Sequence, residues 1–246
     1  MEYHLQTSPG DIAARCLLVG APERAEMIAK DFLKDAKKVG DHRGLKSFTG
    51  TFEGVAVSVV TTGMGGGSTA IVLPEAVRSG AKVFVRVGSC GAIQHGIELG
   101  DAIIATGAVR YEGSSENWAP IEWPAVADYR LVGLLKSAAE VEGVTHHVGI
   151  GVTTSDFNEG QARSNEPDGW LAERIKSRHE EVIRRGALFY SMEEATIFTW
   201  CTTHGNTPAA SIDTVYAQRT VSPVAKAFDD GPATRVALKA LAKMKI

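Results

Sequence analysis

Strand-length runs of apolar residues alternate with helix-like patterns along this chain, and this alternation limits its possible folds more than any other feature. The runs at 16–19 and 83–87 have the length and composition of buried strands. Between such runs, apolar residues at helical spacing, such as Leu131 and Leu135, predict helices with one buried face. The sequence therefore predicts an α/β fold, a single domain over residues 1–246. Its central mixed sheet is expected to be mostly parallel and flanked by helices on both faces.

The same reasoning predicts the individual elements. Further strands are expected at 46–51, 55–62, from 102, at 147–153, 187–190 and 209–215. Helices are expected from Pro22, within 126–141, at 170–185, at 193–204 and from about Val224. One further helix is expected to begin under the cap of Ser68 and to end at Gly80.

Composition excludes several classes of protein. The 26 Lys and Arg residues against 29 Asp and Glu give a formal net charge of −3, which disfavours general nucleic-acid binding. No apolar run approaches the roughly 18 residues that a membrane span needs, and the first residues lack a signal-peptide pattern. Cys16, Cys90 and Cys201 are too few and too dispersed for a disulfide framework or a metal ligand set. We therefore expect a cytoplasmic protein without a resident metal.

Glycines collect where the predicted strands end. Of the 26 glycines, four lie between Gly63 and Gly67, directly after one apolar run, and Gly88 and Gly91 follow another. Glycine allows a backbone to approach a ligand closely, and ligands of parallel sheets bind beyond the carboxyl ends of the strands. This edge of the sheet is the predicted binding site.

Three arginines lie in or beside these turns: Arg24, Arg43 and Arg86. A guanidinium matches the geometry of phosphate, and Arg86 lies inside an apolar strand where an unpaired charge would be costly. Neither a Walker-type loop nor a G-x-G-x-x-G motif is present, so no nucleotide cofactor is expected. The pattern favours a ligand with a phosphate group.

A series of short segments carries a resemblance to a known family, in the same order along nearly the whole chain. They are His4-Leu5, 20–24 (Gly-Ala-Pro-Glu-Arg), His42-Arg43, 62–66 (Thr-Gly-Met-Gly-Gly), 86–93 (Arg-Val-Gly-Ser-Cys-Gly-Ala-Ile), 123–128 (Trp-Pro-Ala-Val-Ala-Asp), Phe157 with 160–163 (Gly-Gln-Ala-Arg), 192–196 (Met-Glu-Glu-Ala-Thr) and 218–220 (Gln-Arg-Thr). Together they resemble the nucleoside phosphorylase superfamily, and within it the bacterial uridine phosphorylases.

The resemblance implies an enzyme in which phosphate attacks C1′ of a uridine-like nucleoside and releases the base and ribose 1-phosphate. Phosphate is then a co-substrate, and no cofactor is required. The implied phosphate ligands are Gly20, Arg24, Arg43, Arg86 and Ser89. The implied ribose ligands are His4, Ser89, Met192 and Glu193, and the implied base ligands are Phe157, Gln161, Arg163 and Arg219. Arg86, Arg163 and Glu193 are the implied catalytic residues.

The residue types at the base end agree with a uracil. The Gln161 amide offers a donor and an acceptor, which match the N3–H and a carbonyl of uracil. Arg163 can stabilise the anion that forms as the glycosidic bond breaks, and Phe157 can pack against the ring. The family also implies a homo-oligomer, a hexamer built from dimers, in which Arg43 and His4 complete a neighbouring subunit's site.

Three residues depart from the pattern of the uridine enzymes. Ser191 replaces a glutamate before the methionine, and Gly44 replaces a glutamate that helps to bind a monovalent cation between subunits. Asp213 lies near the place of an aspartate that protonates the base in related purine enzymes. The alternatives are therefore a purine nucleoside phosphorylase with Asp213 as general acid, a hydrolytic nucleosidase, and a non-catalytic protein that binds nucleosides.

Overall fold

A computed structural model describes residues 1–222 and 225–246. Within these ranges the strands are β1 (Arg15–Val19), β2 (Lys34–His42), β3 (Leu45–Phe52), β4 (Val55–Thr61), β5 (Val83–Ala92), β6 (Ala102–Tyr111), β7 (Ala125–Val126), β8 (His146–Thr154), β9 (Phe189–Ser191) and β10 (Ala209–Gln218). The α-helices are α1 (Pro22–Asp31), α2 (Gly65–Ser79), α3 (Tyr129–Glu142), α4 (Glu173–Arg184), α5 (Glu194–Thr203) and α6 (Gly231–Lys243). Short 3-10 turns cover Ser114–Asn117 and Glu159–Gln161.

All of these strands belong to one mixed sheet. Its centre is parallel, in the order β4, β1, β5 and β10. Antiparallel pairing adds β3 and β2 beyond β4, and β6 beyond β10. The predicted fold class, an α/β domain with a parallel centre in a mixed sheet, is confirmed.

Strand β5 has three neighbours because the sheet closes on itself. Its first part pairs with β1, and its end pairs with β9 through Gly91 and Ala92, while β10 pairs with it from Phe84 to Ala92. Strand β9 pairs with β8, β8 with β6, and β6 with β10, which completes the ring. The carboxyl end of β5 is therefore surrounded by the ends of β1, β9 and β10, where side chains from distant parts of the chain meet.

Helices cover both faces of the sheet. Helices α1, α3 and α6 pack on one face, where Leu135 and Leu238 are fully buried. Helices α2 and α5 pack on the other face, which buries Leu73 and Phe198. These apolar faces exclude water from the parallel strands, as the continuous apolar runs of the sequence require. None of the helices within the described ranges is long and apolar enough to span a membrane.

The structure differs from the predicted elements at β2, at Ser68 and at the start of the last helix. Strand β2 was missed because it is rich in lysine, which is typical of an exposed edge strand. Ser68 does not cap a helix: α2 already begins at Gly65, and the Ser68 hydroxyl donates to the carbonyl of Thr62 at 2.5 Å. The helix expected from about Val224 begins at Gly231, and Val224 itself lies outside the described residues.

Candidate active site

A cavity of about 610 Å³ opens at the carboxyl ends of β1, β4, β5, β9 and β10. Its volume falls within the range of sites that bind small molecules. The predicted site residues that line it are Gly20, Arg24, Arg43, Arg86, Ser89, Phe157, Gln161, Arg163, Met192 and Glu193. The structure thus brings together residues from both halves of the sequence, as the strand-end pattern predicted.

Arg86 is the buried cation at the base of this cavity, and three carboxylates surround it. Its Nη2 donates to Glu193 Oε2 at 2.5 Å, and its Nη1 lies 2.7 Å from Glu194 Oε1. Nη1 also donates to Asp213 Oδ1. Burial alone would lower the pKa of Arg86, but the charges of Asp213, Glu194 and Glu193 raise that pKa well above its usual value. Arg86 therefore keeps its positive charge.

Gly88 provides the space that this arrangement needs. It lies two residues after Arg86 on the same face of β5, and it is directly opposite Asp213 on β10. A Cβ atom at this position would collide with the Arg86 guanidinium and with the Asp213 carboxylate. Glycine at this position therefore lets the guanidinium fold back along the strand onto Asp213.

Arg24 is held in place by the carboxyl-terminal part of the chain. Its Nε donates to Asp230 Oδ2 at 2.7 Å, and the Tyr216 hydroxyl donates to the same oxygen at 2.8 Å. Its Nη1 also contacts the Val87 carbonyl at 3.3 Å. These bonds fix the guanidinium at the cavity edge, beside the turn that contains Gly20.

The third predicted phosphate ligand, Arg43, lies in the tight turn between β2 and β3. Its φ of 54° and that of 79° at Gly44 place both residues in the left-handed region. The side chain lies at the rim of the cavity of its own chain, and its guanidinium is 6.0 Å from the ring centroid of Tyr3. Arg43 is the most peripheral of the three arginines because its turn joins two outer strands.

Glu193 and Met192 follow β9 directly. The Glu193 carboxylate accepts a hydrogen bond from the Gly65 N–H at 2.6 Å and another from Arg86. Gly65 has a φ of 81°, a conformation that favours glycine and turns its N–H toward Glu193. Met192 lines the cavity beside this carboxylate. Glu193 is therefore fixed as an anionic acceptor facing the ligand space.

The opposite end of the cavity is formed by the loop between β8 and α4. The Gln161 side chain is buried, and its Oε1 accepts a hydrogen bond from Arg163 Nη1 at 2.7 Å. Arg163 also lies over the Phe157 ring, 4.1 Å from its centroid. Burial lowers the pKa of Arg163, as expected for a cation removed from water. These three of the four predicted base ligands therefore form one contact group.

Arg219 stands behind this group. Its guanidinium is 5.1 Å from the centroid of the Tyr190 ring, and its Nη2 is 3.4 Å from the carbonyl of Ala162. Burial and the charge of Arg163 lower the pKa of Arg219 to about 10. Its Nε and Nη1 and the Nε of Arg163 find no hydrogen-bond partner in the described part of the chain. Arg219, the fourth predicted base ligand, is not among the residues that line the cavity, so its unpaired donors lie behind this end.

His4 lies apart from the residues that line the cavity of its own chain. Its Nδ1 is 2.7 Å from Glu75 Oε1 on α2, and its backbone N–H donates to the same carboxylate. The His42 ring contacts the His4 carbonyl at 3.2 Å, so His4 lies on the same surface as the β2–β3 turn. The expected contribution of His4 to a neighbouring subunit stays a prediction.

Sequence reasoning missed the residues that hold the arginines. Asp230 and Tyr216 position Arg24, Glu194 pairs with Arg86, and Tyr190 underlies Arg219. Asp213 was considered only as an acid for a purine base, yet it is fully buried beneath Arg86 and does not line the cavity. Among residues 1–222 and 225–246, no group of His, Cys, Asp and Glu side chains is arranged to hold a metal ion.

Comparison with known proteins defines the class to which this fold and site belong. Residues 14–244 match the family model of the phosphorylase superfamily, and the chain belongs to this family.

Among its relatives is the uridine phosphorylase of Thermococcus kodakarensis, 40% identical over 227 residues, which cover 92% of this chain and 81% of that protein. The uridine phosphorylase of Salmonella typhimurium is 38% identical over 205 residues, 82% of this chain and 81% of that protein. A guanosine phosphorylase of Halorubrum lacusprofundi is 33% identical over 195 residues, 79% of this chain and 75% of that protein.

The close approach at Gly88 can be tested by adding one methyl group. Gly88→Ala should lower the free energy of unfolding by about 1–3 kcal/mol, because the new Cβ displaces the guanidinium from Asp213. The matched control is Gly133→Ala on α3, where a Cβ meets no atom within 4 Å. That change should stabilise the protein by about 0.5–1 kcal/mol. Urea denaturation measures both, and a Gly88→Ala protein as stable as the wild type would contradict the arrangement.

Proposed function

We propose that this protein catalyses the phosphorolysis of uridine to uracil and ribose 1-phosphate. The observation that carries the proposal is one cavity with two chemically different ends. Arg24 and Arg86 lie at one end, and the Gln161–Arg163 pair lies at the other, with Glu193 between them. Cations suited to phosphate and an amide suited to a pyrimidine edge thus face one ligand space.

The proposed reaction needs no covalent intermediate with the protein. Phosphate held by the arginines attacks C1′ while the glycosidic bond breaks, and the bonding electrons leave with the base. Glu193 accepts hydrogen bonds from the ribose hydroxyls, and Met192 packs on the sugar. Because the reactants are held side by side, positioning supplies much of the rate. Inorganic phosphate is the co-substrate, and no further cofactor takes part.

The donors at the other end favour a base that leaves as an anion. Arg163 lines the cavity there with an unpaired buried N–H group, which gains a partner when negative charge develops on uracil oxygens, and Arg219 adds positive charge from behind it. A purine nucleoside is the second candidate, since one relative is a guanosine phosphorylase. That chemistry would need an acid at the purine, and Asp213 does not line the cavity. The geometry therefore favours uridine.

The first test separates phosphorolysis from hydrolysis. Uridine incubated with the protein should release uracil only when phosphate is present, and ribose 1-phosphate should appear in equal amount. Thymidine, inosine and adenosine are run in parallel, each with and without phosphate, and the products are separated by chromatography. Uracil released at the same rate without phosphate, with free ribose, would identify a nucleosidase. Inosine cleaved well and uridine poorly would identify the purine enzyme.

A second prediction concerns the two base ligands. Arg163→Ala should lower kcat and kcat/KM together, by about 10²–10³-fold, because the guanidinium acts mainly on the anion formed in the transition state. Gln161→Ala should chiefly raise KM for uridine and weaken discrimination between bases, because the amide contacts the base before and during bond cleavage. Steady-state kinetics on uridine and thymidine measure both. An Arg163→Ala protein with unchanged kcat would contradict the assigned role.

We also infer that the active sites are shared between the subunits of a cytoplasmic homo-oligomer, as in a hexamer built from dimers. The position of His4 supports this: it lies outside the cavity of its own chain but on the same surface as the turn that carries Arg43. Arg43 at the cavity rim could then reach either its own site or that of a neighbour.

Mixing two inactive variants tests the shared site. Arg43→Ala and Arg86→Ala subunits should regain activity after they are mixed under conditions that exchange subunits, since one mixed site contains both intact arginines. Each variant alone, treated identically, is the control, and mass spectrometry verifies the exchange. Exchange without any recovered activity would mean that Arg43 serves only its own chain.

A further inference from the structure

The carboxylates around Arg86 outnumber its positive charge. Glu193, Glu194 and Asp213 all contact its guanidinium, and the side chains of Glu194 and Asp213 are fully buried. If all three carboxyl groups were ionised, the cluster would carry two uncompensated negative charges beneath a site proposed to bind phosphate. Such charges are costly to bury and repel an anion.

Besides Arg86, Glu193 accepts a backbone N–H, whereas the donor that Glu194 has besides Arg86 is a hydroxyl. The Glu193 carboxylate also accepts the Gly65 N–H at the start of α2, where the helix dipole favours negative charge. Glu194 has the Ser191 hydroxyl as a donor, and its other oxygen faces Arg86. Asp213 Oδ2 has no hydrogen-bond partner in the described part of the chain.

The carboxyl groups of Glu194 and Asp213 meet at one atom, since each of them contacts Arg86 Nη1. Burial and the charge of Asp213 raise the pKa of Glu194 to about 7, although Arg86 and the Ser191 hydroxyl oppose the shift. Two fully buried carboxyl groups that share one cationic partner are costly to ionise together, which favours a proton on one of them. Near neutral pH, Glu194 therefore changes between its neutral and its charged form.

We propose that Glu194 and Asp213 are positioning residues that hold Arg86 as a proton-sharing pair, so that anions bind Arg86 more tightly when the pair carries the proton. The carboxylates and the incoming phosphate compete for one guanidinium. When the pair loses its proton, it holds Nη1 more strongly and repels a dianion. This inference rests on the proposed function in taking phosphate as the anion.

The groups that face the pair come from three directions. Arg86 and Cys90 lie on β5, Asp213 on β10, and Glu193 with Glu194 at the start of α5. Burial, together with Asp213 and Glu194, raises the pKa of the Cys90 thiol well above its usual value, so Cys90 stays neutral. Arg86 stays charged for the reason given above. Within this cluster, Glu194 is therefore the group that changes charge near neutral pH.

Calorimetric titration of the protein with inorganic phosphate, without nucleoside, tests the proposal. Sulfate is titrated in parallel because it stays a dianion while phosphate itself changes charge near neutral pH. If a bound anion raises the pKa of Glu194 by about one unit, sulfate should bind about fivefold more weakly at about pH 8 than at about pH 6, and this factor should approach tenfold at higher pH. Glu194→Gln keeps the shape of the side chain without its charge, and its sulfate affinity should be nearly constant over this range.

Two further variants distinguish the effect of Glu194 on anion binding from the effect of any buried carboxylate. Glu112→Gln removes another buried carboxylate, which contacts Thr196 and Ser115 rather than Arg86, and should keep the pH dependence of the wild type. Ser191→Ala removes the hydroxyl that favours ionised Glu194, so the weakening of sulfate binding should move to higher pH. This variant tests the proposal even if Glu194→Gln does not fold.

Each result of these titrations either supports or overturns the proposed role of the Glu194–Asp213 pair. A flat Glu194→Gln profile, or an upward shift with Ser191→Ala, supports the pair. A Glu194→Gln profile that matches the wild type, or a Ser191→Ala profile without a shift, overturns it and leaves the proposed phosphorolysis intact. A wild-type protein that binds neither phosphate nor sulfate at any pH overturns the proposed function and the pair together.

Discussion

The buried guanidinium of Arg86 is the constraint on which the site depends. A charge at this depth must be matched by opposite charge, and the matching carboxylates come from β10 and from the start of α5. Glu193 then links the same cluster to the first turn of α2. The Arg86 guanidinium thus connects four elements at the edge of the sheet: β5, β10, α5 and, through Glu193, α2. The small size of Gly88 leaves the space that the guanidinium needs.

The two ends of the cavity are built on different physical principles. At the phosphate end, Arg24 and Arg86 already have carboxylate partners, so a bound anion must compete for them. At the base end, Arg163 and Arg219 lie near each other with donors that lack partners. Burial and mutual repulsion make these two cations ready to accept negative charge. The first end favours selective anion binding, and the second favours the stabilisation of a charge that appears during reaction.

Where the sequence prediction succeeded, the information was local. Apolar alternation predicted the central strands because each buried strand needs a continuous apolar run. Gln161 and Arg163 are two residues apart, so the loop that carries them brings them together directly. Strand β2 was missed because its lysine-rich sequence resembles a solvated segment, and the Ser68 cap was wrong because glycines let α2 begin earlier.

The sequence by itself determined the α/β class, the edge of the sheet that carries the site, and the residue types that meet there. Those features follow from periodicity and from the chemistry of single side chains. Only the tertiary structure decided that Asp230 holds Arg24, that Asp213 lies under Arg86 rather than beside the ligand, and that Glu194 shares its environment. These pairs are separated by many residues along the chain. Their contacts depend on strand register and on the close approach at Gly88, which no local pattern encodes.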